Sequence, residues 1–352
     1  MTERRIASLD FLRGVAALSV AVPHFFILQS IGDRVAETIS ILGVEVFFVL
    51  SGYVLAPQIM FFVIERPSKR NLCIFLVRRW MRTVPPYLFA LVLVSVSAHQ
   101  LLSADFVRYA TYLQNFFRQS NSNDYFSISW SLSVEEWFYI LFPPFLMTIA
   151  VIAPRRSTIF AVIAVTLFIL LISALRQGFG DYSRWGPEVR RIVIFRMDAI
   201  AWGFLLNLAV TRTKMMDKIT LEYALVGFAA MLMASIALTV FIADTSPRPI
   251  IEAAFPFYAS AFGASAIVVA LKARPTFHDN RALSIAGDYL GRISYSVYLF
   301  HLFVLQTLAA TLNHYPMPAL LLIYLATTIA VASLKFVAVE SPILAARPKF
   351  TT

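Results

Sequence analysis

The sequence predicts an all-α membrane protein with about ten transmembrane helices. Hydrophobic residues make up 59% of the 352 residues, against roughly 45–50% in soluble domains. Charged residues make up only 14%, and the mean hydropathy is +0.73. Apolar runs of about 20 residues, the length that crosses a bilayer core as a helix, recur along the chain. The composition excludes a soluble globular protein and a disordered one, and it predicts an integral membrane protein with short loops.

Two of the predicted outer connections, 104–131 and 176–190, are long enough to shape a binding surface, and the other outer connections are short. The first of these is rich in polar and aromatic residues. The fourth span is polar at its start, because it contains Glu135 and Glu136. In chain order the predicted spans are 7–29, 38–60, 83–103, 132–152, 157–175, 191–210, 221–243, 253–272, 292–312 and 319–339.

The distribution of basic residues predicts that both termini lie in the cytoplasm. With ten spans and a cytoplasmic N-terminus, 19 of the 30 Lys and Arg residues fall on the cytoplasmic side and 8 on the opposite side. Such an excess is typical of cytoplasmic loops. Topology therefore accounts for the formal net charge of +10, and no nucleic-acid partner is expected.

A single cysteine, Cys73, excludes a disulfide framework and a cysteine-based metal site. The sequence has no glycine-rich phosphate loop, no HExxH motif and no GxSxG motif. No metal site is expected. Polar residues inside the predicted spans are therefore the candidates for chemistry, because such residues are costly in a bilayer and usually functional.

The first predicted span carries an arginine and a histidine on one helical face. Arg13 and His24 are eleven residues apart, which is close to three turns and about 16 Å along a helix. A neutral imidazole can take a proton from an alcohol and return it to a leaving group. Asp10 lies one turn before Arg13, and the two can form an ion pair. We interpret His24 as a catalytic group; a core histidine and a structural ion pair are the alternatives.

The second predicted span contains an acid and a pair of small residues in GVEVFFVLSGY, residues 43–53. Glu45 lies inside this apolar run. Ser51 and Gly52 allow close approach by a neighbouring helix or a thin ligand. On these residues alone, a helix contact is the simpler interpretation.

Two arginines precede the third predicted span at helical spacing. Arg79 and Arg82, in VRRWMRTVPPY, are three residues apart and share a face just inside the cytoplasmic boundary. Arginine matches phosphate with two parallel donors, so the pair is a candidate for holding a phosphorylated cytosolic donor. Pro85 and Pro86 are expected to start the helix. Charge topology and contact with anionic headgroups are the alternatives.

The fourth predicted span begins with the stretch SISWSLSVEEWFYILFPP, residues 127–144. Ser131 is expected to be the N-cap, with Glu135 in the first helical turn. A carboxylate at the outer edge of a span can orient an imidazole or a sugar hydroxyl. Because Glu135 and Glu136 are adjacent, at most one of them is expected to face a site. Ordinary helix capping is the alternative.

Three further polar residues lie inside predicted spans. Arg196 and Asp198, in FRMDAIAWG, enter the sixth span as a polar pair. His301, in ISYSVYLFH, lies on the ninth span and is one of only five histidines, with a packed core residue as the alternative. The ESP sequence that starts at Glu340 is expected to end the last helix.

Seven motifs together resemble the acyltransferase-3 family of integral membrane acyltransferases. Each motif alone is modestly specific, but all seven occur in the family's order between residues 6 and 342. Members of that family modify cell-surface and secreted molecules, often by O-acetylating saccharides, with cytoplasmic acetyl-CoA as the usual donor. The resemblance implies an O-acetyltransferase-like enzyme of the bacterial inner membrane. The motifs are LDFLRGVAALSVAVPHFF, GVEVFFVLSGY, RRWMRTVPPY, SWSLSVEEWFY, FRMDAIAWG, ISYSVYLFH and ESP.

The resemblance also implies a mechanism. Acyl-CoA would act as co-substrate, with no permanently bound cofactor, and would bring its thioester from the cytoplasm to His24. His24 would deprotonate an acceptor hydroxyl or form a covalent acyl intermediate. Arg13 and Glu135 complete the catalytic set, with Glu135 orienting His24 or the acceptor. The implied donor-binding residues are Arg79, Arg82, Ser51 and Gly52, and the supporting residues are Asp10, Glu45, Arg196, Asp198 and His301.

The implied acceptor is a saccharide or glycolipid that arrives from the outer side of the membrane. Trp130, Tyr125 and Trp185 lie in outer loops and are expected to stack on sugar faces. Residues 1–352 are expected to form a single acyltransferase domain, since the soluble domain that follows in some relatives has no counterpart here. The main alternative is a transporter or flippase for a sugar-linked lipid, and another is a sensor or structural membrane protein. The acyl group, the acceptor and the oligomeric state stay open.

Overall fold

The computed structural model describes residues 5–65, 67–119, 124–152, 158–242, 248–312 and 315–348, and within these ranges it contains helices and no β-strand. The all-α prediction is confirmed. Short π- and 3-10 segments join or extend several helices, for example at Met60–Glu65 and Phe336–Glu340. The α-helices are α1 (Ala7–Leu28), α2 (Asp33–Ile59), α3 (Lys69–Ser97), α4 (Ala104–Ala110), α5 (Ser129–Ile152), α6 (Thr158–Phe179), α7 (Met197–Arg212), α8 (Leu221–Ile242), α9 (Arg248–Lys272), α10 (Arg274–Asp279), α11 (Arg281–Thr311), α12 (Met317–Lys335) and α13 (Ser341–Ala345).

The described chain forms two compact units, and the boundary between them falls inside α2. Unit 1 takes its described residues from Met1–Leu50, Ile219–Ile251 and Tyr258–Ser341. Unit 2 takes its described residues from Ser51–Lys218, Glu252–Phe257 and Pro342–Thr352. The single acyltransferase domain expected over the whole chain stays a prediction.

Nine segments of the described ranges are long and apolar enough to cross a membrane. They contain α1, α2, α3, α6, α7, α8, α9, α11 and α12. The fourth predicted span is helical as α5 but is not among the nine, and its first turns carry serines and two glutamates. The helices α4 and α10, of 7 and 6 residues, are too short to cross a bilayer.

The helices α1 and α11 of unit 1 run parallel to each other. Ala7 approaches Gly287 near the start of both helices, and His24 approaches His301 farther along both. Two parallel spans must be separated by an odd number of crossings. Only six of the nine candidates lie between α1 and α11 in the chain, so one more crossing is required. The helix α5 is the one remaining described helix that is long enough, which supports the prediction of ten spans.

If α5 is a span, the count of ten predicts that both termini lie on one side of the membrane. That this side is the cytoplasm stays a prediction from the excess of basic residues. Reporter fusions at each terminus measure it directly: we expect a cytoplasmic signal from both. Signals from opposite sides would contradict the assignment of α5 as a span.

Glycines permit the close approach of α1 and α11. A Cβ atom at Gly291 would meet the Cα and Cβ atoms of Asp10, and one at Gly287 would overlap the carbonyl of Ala7. Helices in a bilayer pack through small residues in this way, because dispersion and close backbone contact replace the hydrophobic effect. The spacing of the two helices therefore depends on these positions.

We expect Gly291→Val to separate α1 from α11 and to lower the midpoint of thermal unfolding in detergent. Overpacking of a close contact costs about 1–3 kcal/mol or more. Gly227→Val is the matched control, because nothing lies within 4 Å of a Cβ atom at Gly227 on α8. Equal unfolding midpoints for the two variants would contradict the packing argument.

The third predicted span was placed too late in the chain. It was expected at 83–103, whereas α3 runs from Lys69 to Ser97, with the Ser68 side chain as its N-cap. Pro85 and Pro86 lie inside α3, so the prediction that they start the helix was wrong. Prolines are tolerated inside membrane helices because neighbouring groups satisfy the freed backbone. The two candidate arginines therefore lie within the helix and not before it.

Two other predicted helix ends were also wrong. The helix α5 begins at Ser129, so Ser131 is not its N-cap; the Ser131 hydroxyl donates to the Ile128 carbonyl at 3.3 Å. The ESP sequence does not stop the last helix, because Glu340 is followed by α13. A proline in the first turn of a helix removes no needed hydrogen bond, which is why Pro342 allows this continuation.

Candidate active site

The two histidines His24 and His301 meet inside unit 1. His24 lies on α1 and His301 on α11, and the Nδ1 atom of His24 is 3.2 Å from the Nε2 atom of His301. Their ring centroids are 5.1 Å apart. His301 is fully buried, at 0% exposure, whereas His24 is half-buried. Both residues were predicted from the sequence as candidate site residues. The structure shows that they are in contact although they lie 277 positions apart in the chain.

Backbone carbonyls fix the tautomer of both rings. The Nδ1 atom of His301 is 2.7 Å from the carbonyl oxygen of Tyr298, and the Nδ1 atom of His24 is 2.8 Å from that of Val20. A carbonyl only accepts, so each Nδ1 atom carries the proton and donates. The Nδ1–H group of His24 is therefore shared between two acceptors, the Val20 carbonyl at 2.8 Å and the Nε2 atom of His301 at 3.2 Å. The Nε2 atom of His24 is left with the lone pair, which is the form a general base needs.

The predicted ion pair of the first span is present. The Arg13 Nη1 atom is 3.0 Å from the Asp10 Oδ1 atom. Arg5 approaches the other oxygen of Asp10 at 3.2 Å and also contacts Asp288 on α11 at 3.1 Å. Arg13 thus has a protein partner, and its catalytic role stays a prediction. Glu45, the acid of the second span, is buried in unit 1 at 1% exposure.

Unit 2 contains a second polar cluster, built around Ser51 and Glu135. The Ser51 hydroxyl donates a short hydrogen bond to the Glu135 carboxylate. Tyr139, one turn after Glu135 on α5, is buried and interacts with both residues. Within unit 2, the sequence-predicted donor residue Ser51 and the catalytic candidate Glu135 therefore contact each other.

Glu136, the neighbour of Glu135 on α5, is also buried in unit 2, and the expectation that at most one of the two glutamates faces a site stays a prediction. It is 3% exposed and interacts electrostatically with Glu135 and Arg79. Its carboxylate is within hydrogen-bonding reach of Thr83 and Trp80 on α3. Its Oε2 atom has no hydrogen-bond partner among the described residues.

Gly52 serves the packing of α2 against α7. A Cβ atom at this position would overlap the carbonyl of Ile200 and crowd the backbone nitrogen of Phe204. The sequence allowed close approach by a neighbouring helix or by a thin ligand, and the structure shows a neighbouring helix, α7. No space for a ligand remains on that side of Gly52, and its donor-binding role stays a prediction.

The two candidate donor arginines have different surroundings in unit 2. Arg79 donates to the Gln58 side chain at 2.9 Å, and its guanidinium lies 5.7 Å from the Phe75 ring centroid. Arg82, one turn farther along α3, is half-buried. It forms no hydrogen bond, ion pair or ring contact with any residue of the described ranges.

The predicted acceptor aromatics lie in unit 2 and contact other side chains of the protein. Trp130 is 7% exposed, and the Arg190 guanidinium lies between the rings of Trp130 and Trp185, at 5.3 and 5.8 Å from their centroids. Tyr125 stacks near Tyr109 at 4.9 Å. Trp185 and Tyr125 keep partial exposure, whereas the burial of Trp130 leaves little of its ring for a sugar.

The polar pair of the sixth span is not an isolated pair. Asp198 binds Arg176 at 2.8 Å, both fully buried, and Arg176 also donates to the Phe195 carbonyl at 2.6 Å. Arg176 had been placed in an outer loop, but it lies in the last turn of α6. Arg196 is buried at 1% exposure. Arg176 therefore neutralises Asp198 in the interior of unit 2, which is the expected condition for a buried charge.

Sequence reasoning missed two more buried groups. Lys335 pairs with Glu340 at 2.9 Å, and Ser296 of α11 donates to the same carboxylate at 2.5 Å. Arg190, whose guanidinium lies between two tryptophans, had been counted only as an outer-loop charge. The spacing of Lys335 and Glu340 on one helical segment was the available signal for the first group. For Arg190 the local signal is incomplete, because Trp185 is close in sequence but Trp130 is distant.

Outside the spans, two tyrosines organise the connection between α3 and α5. Burial and the Asp124 carboxylate raise the pKa of the Tyr109 phenol, which donates to Asp124 at 2.9 Å. Burial also raises the pKa of Tyr125. Both phenols therefore stay protonated; the Tyr109 hydroxyl donates to Asp124, whereas the Tyr125 hydroxyl accepts from Ser95 at 3.2 Å. No group of three metal-ligating side chains occurs in the ranges that the structure describes.

Comparison with known protein families identifies the chain. The profile of the acyltransferase-3 family, described as an acyltransferase domain, matches residues 6–337. The chain belongs to the acyltransferase-3 family. The resemblance seen in the seven motifs is confirmed, and with it the assignment as an integral membrane protein.

Curated relatives are longer than this chain. The O-acetyltransferase OatA of Staphylococcus aureus is 26% identical over 321 residues, which are 85% of this chain and 50% of that protein. The peptidoglycan O-acetyltransferase OatA of Listeria monocytogenes is 24% identical over 370 residues, 97% of this chain and 56% of that protein. The chain spans about half the length of these relatives. No solved structure matches it.

Proposed function

We propose that this chain transfers an acyl group from cytoplasmic acyl-CoA to a hydroxyl of an extracytoplasmic or lipid-linked saccharide. The proposed acyl group is acetyl. The membrane would be the inner membrane of a bacterium. The observation that carries the proposal is the pair formed by His24 and His301, with the Nε2 atom of His24 as the nitrogen that bears a lone pair. A histidine in this state inside a membrane span is suited to proton transfer.

The proposed reaction is a single acyl transfer with His24 as general base. The Nε2 atom of His24 takes the proton of the acceptor hydroxyl as the oxygen attacks the thioester carbonyl. The carbon–sulfur bond then breaks, and the protonated ring returns the proton to the departing thiolate of CoA. The ester of the acceptor and free CoA are the products. A covalent acyl-His24 intermediate is the alternative path to the same products.

In this mechanism His301 is the residue that orients the ring of His24. Its Nε2 atom accepts from the Nδ1–H group of His24, which keeps the proton away from the nitrogen that must act as base. The same hydrogen bond strengthens when His24 becomes an imidazolium, because charged donors bind acceptors more tightly. Its own Nδ1–H group stays bound to Tyr298, so the ring cannot turn without losing a buried hydrogen bond.

The acceptor is proposed to be a cell-envelope saccharide. The name of the Listeria relative specifies peptidoglycan for that protein, and a saccharide fits the partly exposed aromatic rings of Trp185 and Tyr125. Glu135 is proposed to assist the acceptor hydroxyl or the base.

Mass spectrometry of surface glycans tests the function. We expect cells that lack the gene to lose one acetyl mass at each modified site, and the wild-type chain to restore it. With purified chain in liposomes, isotope-labelled acetyl-CoA is expected to pass its label to soluble peptidoglycan fragments. Unchanged acetylation in the deletion strain, with no label transferred, would contradict the proposal. Loss of the whole glycan from the surface would instead favour a transporter or flippase.

A further inference from the structure

The buried ion pair of Arg176 and Asp198 in unit 2 belongs to a cluster that also contains two aromatic rings. The Arg176 guanidinium lies 5.6 Å from the centroid of the Phe257 ring. The Phe257 ring contacts the Trp202 ring, and their centroids are 6.4 Å apart. Trp202 lies one turn after Asp198 on α7, so these two side chains share a helical face. We call Arg176, Asp198, Trp202 and Phe257 the α6–α7 cluster.

Three buried polar atoms of the α6–α7 cluster have no hydrogen-bond partner among the described residues. They are the Nε atom of Arg176, the Oδ1 atom of Asp198 and the Nε1 atom of Trp202. The other polar atoms of the ion pair are used: the Nη atoms of Arg176 donate to Asp198 Oδ2, to the Phe195 carbonyl and to the Ser173 hydroxyl. Buried polar groups nearly always have a partner in native proteins, so this cluster is suited to bind a further polar group.

The three atoms define the chemistry of the group that would complete them. The Arg176 Nε–H and Trp202 Nε1–H groups donate, and the Asp198 Oδ1 atom accepts. The complementary group therefore has one donor and two acceptor lone pairs, which is the inventory of a hydroxyl and also of an acetamido group. The carboxylate of Asp198 opposes an anion and the guanidinium of Arg176 opposes a cation, so a neutral group is favoured.

The position of the cluster favours a saccharide as the source of this group. The cluster joins the last turn of α6 to the first turn of α7. The connection between these helices carries Trp185, a predicted acceptor residue, and Trp185 contacts Phe255 at 5.2 Å between centroids. Phe257 follows Phe255 on α9 and is 40% exposed, and Trp202 is partly exposed. A few polar groups beside partly exposed aromatic rings are typical of ligand sites.

We propose that the α6–α7 cluster binds a neutral hydroxyl or acetamido group of the saccharide acceptor. The group donates to Asp198 Oδ1 and accepts from Trp202 Nε1–H and Arg176 Nε–H. This inference rests on the proposed function for the identity of its ligand. It gives Asp198 a binding role and adds Arg176, Trp202 and Phe257 to the acceptor site.

The test measures saccharide binding to the full chain in detergent without acetyl-CoA. The probes are the trimer of N-acetylglucosamine and the trimer of glucose. We expect Trp202→Phe to weaken binding by about 3- to 10-fold, the range for one lost hydrogen bond. Binding of both trimers assigns the cluster to a hydroxyl, and binding of the N-acetylated trimer alone assigns it to an acetamido group. In turnover, Trp202→Phe raises KM for the saccharide and leaves KM for acetyl-CoA within about twofold.

Trp137→Phe is the matched control in unit 2. Trp137 is half-buried like Trp202, but its Nε1 atom donates to the Tyr112 carbonyl at 2.9 Å. Trp137→Phe is therefore expected to lower the unfolding midpoint and to leave saccharide affinity unchanged. Trp202→Phe is expected to leave the midpoint of the saccharide-free chain unchanged, because its N–H group has no protein partner among the described residues.

Asp198→Asn tests the acceptor side of the cluster. One oxygen remains for Arg176, whereas an amide nitrogen replaces the other oxygen and meets the donor of the ligand with a second donor. We expect saccharide affinity to fall by about 10- to 100-fold, the range for a hydrogen bond to a charged group. Because this variant also removes the charge that neutralises Arg176, its unfolding midpoint is measured beside its affinity, and Trp202→Phe is the primary variant.

Four results separate the inference from its alternatives. Wild-type saccharide affinity in Trp202→Phe overturns the inference, and so does a wild-type chain that binds neither trimer. Equal falls of the unfolding midpoint in Trp202→Phe and Trp137→Phe, at wild-type saccharide affinity, would show that the cluster holds an ordered water only. A chain that transfers no acyl group, but whose trimer binding is weakened by Trp202→Phe, contradicts the proposed function and supports the site.

Discussion

Replacement of His24 by glutamine is expected to lower kcat for acyl transfer by about 10²- to 10⁴-fold, the usual contribution of a general base. Glutamine has a comparable reach and can donate or accept hydrogen bonds, but it cannot carry a proton between two substrates. Acetyl-CoA affinity is expected to stay near the wild-type value, since the candidate donor-binding residues lie on α2 and α3 and not on α1. Single-turnover transfer from labelled acetyl-CoA measures the effect.

The unfolding midpoint of the His24→Gln variant provides its control. His24 is half-buried, and its Nδ1 atom contacts a carbonyl of its own helix and the ring of His301, so a moderate change in stability is expected. A folded His24→Gln variant that transfers acyl groups at the wild-type rate would contradict the mechanism. Loss of acetyl-CoA binding in this variant would instead assign His24 to the donor site.

The second large effect is expected at His301. Leucine at this position fills the buried volume but removes one of the two acceptors of the Nδ1–H group of His24, so that only the Val20 carbonyl remains. We expect kcat to fall by about 10- to 100-fold, as for a lost hydrogen bond to a group that becomes charged. KM for acetyl-CoA is expected to stay unchanged. Turnover at saturating acetyl-CoA measures kcat for each variant.

Glutamine at position 301 separates a positioning role from a packing role. Its amide oxygen can accept the hydrogen bond from His24, so His301→Gln is expected to retain more activity than His301→Leu. Equal activities in the two variants, at equal unfolding midpoints, would show that the hydrogen bond does not matter. Such a result would leave His24 as base and remove His301 from the mechanism.

The fold could be predicted from the sequence because its main signal is local. A membrane span requires about 20 apolar residues wherever it occurs, so hydropathy finds helices without knowledge of their neighbours. The errors were also local in origin. Pro85 and Pro86 interrupt the pattern of α3 but not its helix, since the bilayer leaves a backbone no alternative to internal hydrogen bonds.

The candidate site was predictable only in part. Asp10 and Arg13 contact each other at a spacing that the sequence itself specifies. The contact of His24 with His301 joins the first span to the ninth, and Ser51 reaches Glu135 across 84 residues. A single sequence does not indicate which residues far apart in the chain are in contact. Arg176 was missed for a related reason: its position at the end of an apolar run resembles a loop charge, while its partner Asp198 lies on another helix.

The pH dependence of kcat/KM is the most direct test of the central claim that the neutral imidazole of His24 accepts the acceptor proton. We predict that wild-type kcat/KM falls as the pH is lowered, because a protonated imidazole has no lone pair to offer. The residual activity of the His24→Gln variant is predicted to lack this fall over the same range. The same decline at low pH in both proteins would contradict the account.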